Sequence, residues 1–164
     1  MTSTELDGRA LRDAFGHFPS GVVAICAETE RERIGMAAST FVSVSLDPPL
    51  VAVCIQTTST TWPKLRAAGG LGLSVLGEEH GAVARTLAAK TGDRFDGVAT
   101  QSGPGGALLV HGAALWLAAT IAEEVPAGDH LVALLAIDWL EVPADVAPIV
   151  FHRSRFHRLE RAGG

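Results

Sequence analysis

The chain has 164 residues, the usual size of one domain (1–164), and a chain of about this length buries roughly two-thirds of its unfolded surface on folding. Its 13 basic and 18 acidic residues give a formal charge of −5 with no long basic run, which argues against nucleic acid or an anionic membrane surface as partner. Hydrophobic residues make up 48%, more than a small soluble monomer needs, so part of the apolar surface is expected between subunits.

Residues 4–15 place Leu6, Ala10, Leu11, Ala14 and Phe15 on one helical face, with Ser3 or Thr4 to cap the first turn. Pro19, Ser20 and Gly21 break the chain. Residues 22–27, VVAICA, read as a strand that runs into the charged turn ETERER, and its hairpin partner is the stretch beginning at Gly35. That stretch, GMAASTFVSVSLDPPL at 35–50, mixes Phe41, Val42 and Val44 with Ser39, Thr40, Ser43 and Ser45, and reads as one strand with an apolar side and a polar, uncharged side. It is either a ligand-facing strand or a half-exposed one whose serines face water. Pro48 and Pro49 end it, because neither can donate to a ladder, and residues 50–55 start the next strand.

A polar loop then leads to a helix capped by Thr61, with Pro63 in its first turn and Gly69-Gly70 stopping it. Residues 71–76 form a short strand, and 78–90 carry Val83 and Leu87 at helical spacing. Residues 91–106 read as a loop; its GPGG is turn chemistry, since no Lys-Ser/Thr follows to make a phosphate loop. Two long strands at 113–124 and 130–142 are joined by the tight connection VPAGDH, and a short strand at 149–152 precedes a basic tail. Many strands with few short helices predict a mainly β fold, a closed antiparallel barrel.

Cys26 and Cys54 lie in apolar runs, where cysteine behaves as a small buried hydrophobe, and they make neither a disulfide framework nor a metal site. Acidic residues stand near the N-terminus where a secretory signal needs an apolar core, and no apolar run approaches the ~20 residues that span a bilayer. The expected location is cytoplasmic. No motif for hydrolysis or metal chemistry is present.

Small residues followed by ST, a hydrophobic and SVSLDPPL, together with PSGV at 19–22, KTGDRF at 90–95, GDH at 128–130 and FHRSRFHRL at 151–159, resemble the signature of the short-chain flavin reductases, in the family's order and spacing. The resemblance covers roughly residues 11–159 and implies an FMN-binding split β-barrel of Greek-key antiparallel type. It further implies a homodimeric NAD(P)H:flavin oxidoreductase that uses FAD or FMN with NADH or NADPH and supplies reduced flavin to a separate monooxygenase. The alternatives are a non-catalytic flavin-binding module and a split-barrel oxidase acting on another small molecule. Ala107, Ala119 and Ala136 stand where the family often has proline, cysteine and glycine, and read as packing changes.

A flavin offers an apolar ring with a polar edge, a polyhydroxy chain and a phosphate. Ala37 and Ala38 are small enough to let the backbone approach the ring edge, beside Ser39 and Thr40. Gln56, Thr57, Ser59 and Thr60 either meet the ribityl chain and phosphate or form an ordinary polar loop. Lys90 and Arg94 suit a helix C-terminus or a phosphate, and the resemblance favours phosphate for Lys90, with Phe95 near the ring system or adenine. His130 is a solvated turn residue or, as the resemblance implies, a group that orients the nicotinamide. Arg153 and Arg155, beside Phe151 and Phe156, pair with pyrophosphate and stack on a base, or form a charged tail.

Overall fold

The computed structural model describes residues 5–143 and 145–163. The chain opens with α1 (Gly8–Phe15), whose N-cap is Asp7, its carboxylate accepting from the Ala10 N–H at 2.7 Å. The helix is thus shorter than the expected 4–15, and the caps expected at Ser3 or Thr4 lie outside the described residues. None of its residues is fully buried, and Phe15 remains 70% exposed.

The VVAICA run forms β1 (Val23–Glu28), and β2 (Arg33–Ala38) returns beside it. Val23, Ile25 and Ala27 join one apolar cluster while Ala24 and Cys26 join another. A strand buried on both faces has no polar side, which is why its sequence does not alternate.

The stretch read as a single strand is two. β2 stops at Ala38, the chain bends at 39–41, and β3 (Val42–Leu46) pairs with β4 (Pro49–Gln56) instead. Next come α2 (Trp62–Ala68), β5 (Leu71–Val75) and α3 (Gly81–Ala88). The short β6 (Thr100–Ser102) and β7 (Leu108–Val110) then precede the long hairpin of β8 (Leu115–Ala127) and β9 (His130–Glu141). Seven strands form one antiparallel sheet in the order β2-β1-β5-β8-β9-β4-β3. The sheet curls without closing, contrary to the closed barrel expected. Its two edges are β2 and β3, neighbours in sequence, and the bend between them carries the chain from one edge to the other in place of a ladder. This is the split of a split barrel.

The concave side holds Ile25, Val53, Leu73, Leu117 and Leu135, and α2 plugs its end with Trp62 and Leu65. Each such buried side chain contributes about 1.5–3 kcal/mol. Thr61 stands at the start of α2 but makes no capping hydrogen bond; the Trp62 N–H donates to Ser59 Oγ, because Arg94 has taken the Thr61 hydroxyl. The Trp62 indole N–H donates to Glu124 Oε1 at 2.6 Å, and Arg66 grips the same carboxylate. That grip, more than the indole, holds the Glu124 carboxyl below its ordinary range.

On the convex side α3, shorter than the expected 78–90, lays Ala84 and Leu87 against β1 and β2. The expected loop at 91–106 contains β6, which pairs with β7. Its GPGG is a single 3-10 turn, and a side chain at Gly70 would collide with the Gly105 carbonyl oxygen. The expected basic tail is a hairpin, β10 (Ile149–His152) with β11 (Arg155–Arg158), turning through Arg153 and Ser154 at positive φ. Of the three alanines read as packing changes, Ala107 and Ala119 are buried and Ala136 is half-buried. Among the described residues no helix is long and apolar enough to cross a membrane.

Candidate active site

The split opens into a cleft of about 530 Å³ between β2, the end of β4 and the C-terminal part of α3. Four features build it. The first is the free edge of β2. Arg94 Nη1 donates to the Gly35 carbonyl at 3.1 Å, so the backbone groups of Gly35 point away from β1. Successive residues of a strand alternate in direction, which turns the N–H and C=O of Ala37 to the same open edge. Methyl side chains at Ala37 and Ala38 leave these groups approachable, and both residues line the cleft with Ser39.

The second is Thr40, whose hydroxyl accepts from the Cys54 N–H at 3.0 Å and donates to the Cys54 carbonyl at 3.1 Å. It therefore lines the cleft as a strut between the bend and β4. Cys54 lines the cleft as well, whereas Cys26 is wholly buried and its thiol is pushed up to about 12 by loss of solvation.

The third is the turn at the tip of the long hairpin. His130 pairs with Gln56 across β4 and β9, and both reach the cleft. The Asp129 carboxylate accepts from His130 Nδ1–H at 2.7 Å, which holds that carboxyl below its ordinary range. The ring is left to present Nε2. Thr57 is the clip for this turn, its N–H and hydroxyl both donating to the Asp129 carbonyl, at 3.0 and 3.1 Å.

The fourth is a polar and cationic end formed by Ser59, Thr60, Lys90 and Arg94. Arg94 donates to the carbonyls of Ala89 and Gly35 and to Thr61 Oγ1, thereby tying α3, β2 and α2 to one guanidinium. Its Nη2 makes no hydrogen bond among the described residues.

Of the residues singled out in the sequence, Ala37, Ala38, Ser39, Thr40, Gln56, Ser59, Thr60, Lys90 and His130 meet in this one cleft. Thr57 is not part of its lining. Phe95 lies in an adjoining cleft and Phe156 in a smaller one of about 160 Å³ behind Ala37 and Ala38, while Arg153 lines none of these and sits in its hairpin turn. Cys54, Thr58 and Thr61 also line the cleft and were not anticipated; the hydroxyl-rich run QTTSTT was the available signal.

A family model described as a flavin reductase like domain matches residues 15–160. The chain belongs to the flavin reductase family. This flavin reductase is 31% identical to a flavin reductase of Pseudomonas putida over 157 residues, 95% of this chain and 92% of the relative. It is 30% identical over 160 residues, 96% of this chain and 86% of the relative, to the reductase subunit of a flavin-dependent monooxygenase of Mycobacterium tuberculosis. Among solved structures, the NADH:FAD oxidoreductase of Streptomyces globisporus in complex with NAD and FAD fragments superposes with a TM-score of 0.88 at 32% identity, covering 96% of this chain and 98% of that one.

The residues of the reductase fit a flavin on their own chemistry. Backbone N–H and C=O groups at Ala37 are the complement of a ring edge that both accepts and donates hydrogen bonds, and the hydroxyls and cations of Ser59, Thr60 and Lys90 are the complement of a phosphate. The cleft offers no activated nucleophile, and transfer of hydride between two bound rings asks for none.

Proposed function

We propose that this flavin reductase transfers hydride from NADH or NADPH to FMN or FAD and passes the reduced flavin to a separate monooxygenase. The observation that carries the reading is the pairing, in one cleft, of the free β2 edge at Ala37 with the imidazole of His130. The relatives support it, since one is itself the reductase subunit of a monooxygenase and another an NADH:FAD oxidoreductase.

Bound flavin supplies the hydride acceptor and reduced nicotinamide the donor. The chain's own part is to bind, orient and exclude water. Ala37, Ala38 and Ser39 hold the ring edge; Gln56, Ser59 and Thr60 hold the ribityl chain; Lys90 neutralises the phosphate. Thr57 sets the hairpin tip, and His130 orients the nicotinamide. Behind the ring site, Phe156 stacks against Phe151 at 5.5 Å under the guanidinium of Arg85 at 5.0 Å, a surface suited to the adenine of the dinucleotide. Arg153, in the adjacent turn, faces its pyrophosphate. Edge strand β3 exposes Val42, Val44 and Leu46, the last at 96%, and an unpaired apolar edge favours a homodimer across it. Its setting is the cytoplasm.

Steady-state oxidation of NADH and NADPH with added FMN, FAD and riboflavin tests the activity. Turnover only when flavin is present is expected. Tight flavin binding without turnover would point to a binding module instead.

A further inference from the structure

The reading above leaves one surface unused, the outer side of the β10–β11 hairpin together with the chain that follows α1. That chain runs beside β10: Ser20 and Phe151 exchange backbone hydrogen bonds at 2.8 and 2.9 Å, and the Gly16 carbonyl accepts from the Arg153 N–H at 3.0 Å. His152 Nε2–H donates to the His17 carbonyl at 3.2 Å. Phe15 and Phe18 flank these contacts, 70% and 81% exposed, so two aromatic rings are carried in solvent beside the hairpin tip. Single exposed apolar residues are ordinary, whereas two large ones fixed at one place mark a surface that is covered in use.

The hairpin supplies the charge. Directly paired residues share a face of a ladder, so His152 and Arg155 point the same way, and His157 joins them with its ring centre 5.9 Å from that of His152. Arg155 is exposed and pairs with no carboxylate among the described residues, whereas Arg158, on the other face, is held by Glu79 at 2.7 Å. Residues 149–158 contain neither Asp nor Glu, in a chain whose formal charge is −5.

We propose that this surface docks an acidic segment of a partner protein, whose apolar side chains cover Phe15 and Phe18 while its carboxylates meet Arg155 and the two imidazoles. The partner is the monooxygenase that accepts reduced flavin, an identity that rests on the reductase reading given above. On the opposite face of the hairpin, Phe151 and Phe156 line the small cleft behind Ala37 and Ala38, so a docked partner sits one hairpin's thickness from the ring site. A second copy fits less well, because a two-fold contact through this face sets Arg155 and its imidazoles against their own kind. A lipid surface fits less well too, since α1 has only eight residues and carries Asp13 after its capping Asp7.

Fluorescence polarisation with a short labelled peptide of glutamate and leucine tests the surface, beside the same peptide with lysine in place of glutamate. The acidic peptide is expected to bind and the basic one not, with affinity falling as salt rises. Arg155→Glu and, independently, Phe18→Ser should each weaken binding about tenfold or more. Phe18→Ser should leave NADH-dependent reduction of free flavin unchanged, which also shows that the variant is folded. No binding, equal binding of the two peptides, or variants that bind like the unsubstituted protein would overturn the docking surface. Phosphatidylserine vesicles released by Phe18→Ser, or a dimer that dissociates in that variant, would overturn it in favour of a lipid surface or a second copy. Failure of the unsubstituted protein to reduce any flavin would instead overturn the reductase reading, and with it the partner's identity, whatever the peptide does.

Discussion

Thr40 holds both backbone groups of Cys54 through a single hydroxyl, at 3.0 and 3.1 Å, and so fastens the bend at one sheet edge to the second strand from the other. Thr40→Val keeps the shape and removes the hydroxyl, which leaves the Cys54 N–H and carbonyl without this partner. A loss of about 1–2 kcal/mol in urea denaturation is expected, with weaker flavin binding, and Thr40→Ser should restore both. An unchanged denaturation midpoint in the valine variant would remove the strut from the account.

His130→Ala separates the two rings of the reaction. If the imidazole orients only the nicotinamide, its loss raises the Michaelis constant for NADH or slows hydride transfer by about 1–3 kcal/mol while flavin affinity hardly moves. Stopped-flow reduction and flavin titration on the same variant measure both terms. Thr57→Val should reproduce part of the effect, because the hydroxyl clips the Asp129 carbonyl and so the turn. Normal reduction kinetics in both variants would reduce the turn to scaffold.

Lys90→Gln probes the phosphate end. FMN and FAD should each lose about 1 kcal/mol of binding energy, with a shallower dependence on salt, and riboflavin should lose nothing. A uniform loss across all three flavins would place Lys90 in the architecture of the cleft.

His80 makes the fold sensitive to acid. Its Nδ1 accepts the Gly77 N–H at 2.9 Å and its Nε2–H donates to the His111 carbonyl at 2.9 Å, an arrangement open only to the neutral ring. Burial lowers its pKa below the ordinary 6.5, opposed by the His111 carbonyl and by Glu79. A base whose native pKa is depressed contributes stability that is complete above its unfolded value and is lost as pH falls through that range. Urea midpoints should therefore drop as pH falls through and below the ordinary histidine value of 6.5, and the drop should shrink in His80→Ala. A slope unaffected by the substitution would falsify the assignment.

The sequence showed most of the strands because their patterns are local. VVAICA announces a strand with no polar face, and the alanine pair at 37–38 lines the cleft. What it hid is pairing. From Gly35 to Leu46 no proline, glycine pair or charge interrupts the run, and nothing local says that the partner changes from β1 to β4 at Ser39. The same blindness explains Thr61, a sound capping residue until Arg94 arrives from 33 positions away. At the C-terminus, the turn through Arg153 and Ser154 uses left-handed backbone without glycine or asparagine, so a hairpin passed for a tail. Thr57 turns its hydroxyl to the Asp129 carbonyl, which a polar run in the sequence does not reveal.

The two cysteines carry a practical consequence. Cys54 borders the cleft while Cys26 is fully buried with its thiol pushed up to about 12, so a thiol reagent meets one accessible thiol in the native protein. Mass spectrometry after brief alkylation then becomes a footprint of occupancy: flavin should shield Cys54, and the rate at which the label appears reads how often the cleft stands empty during turnover.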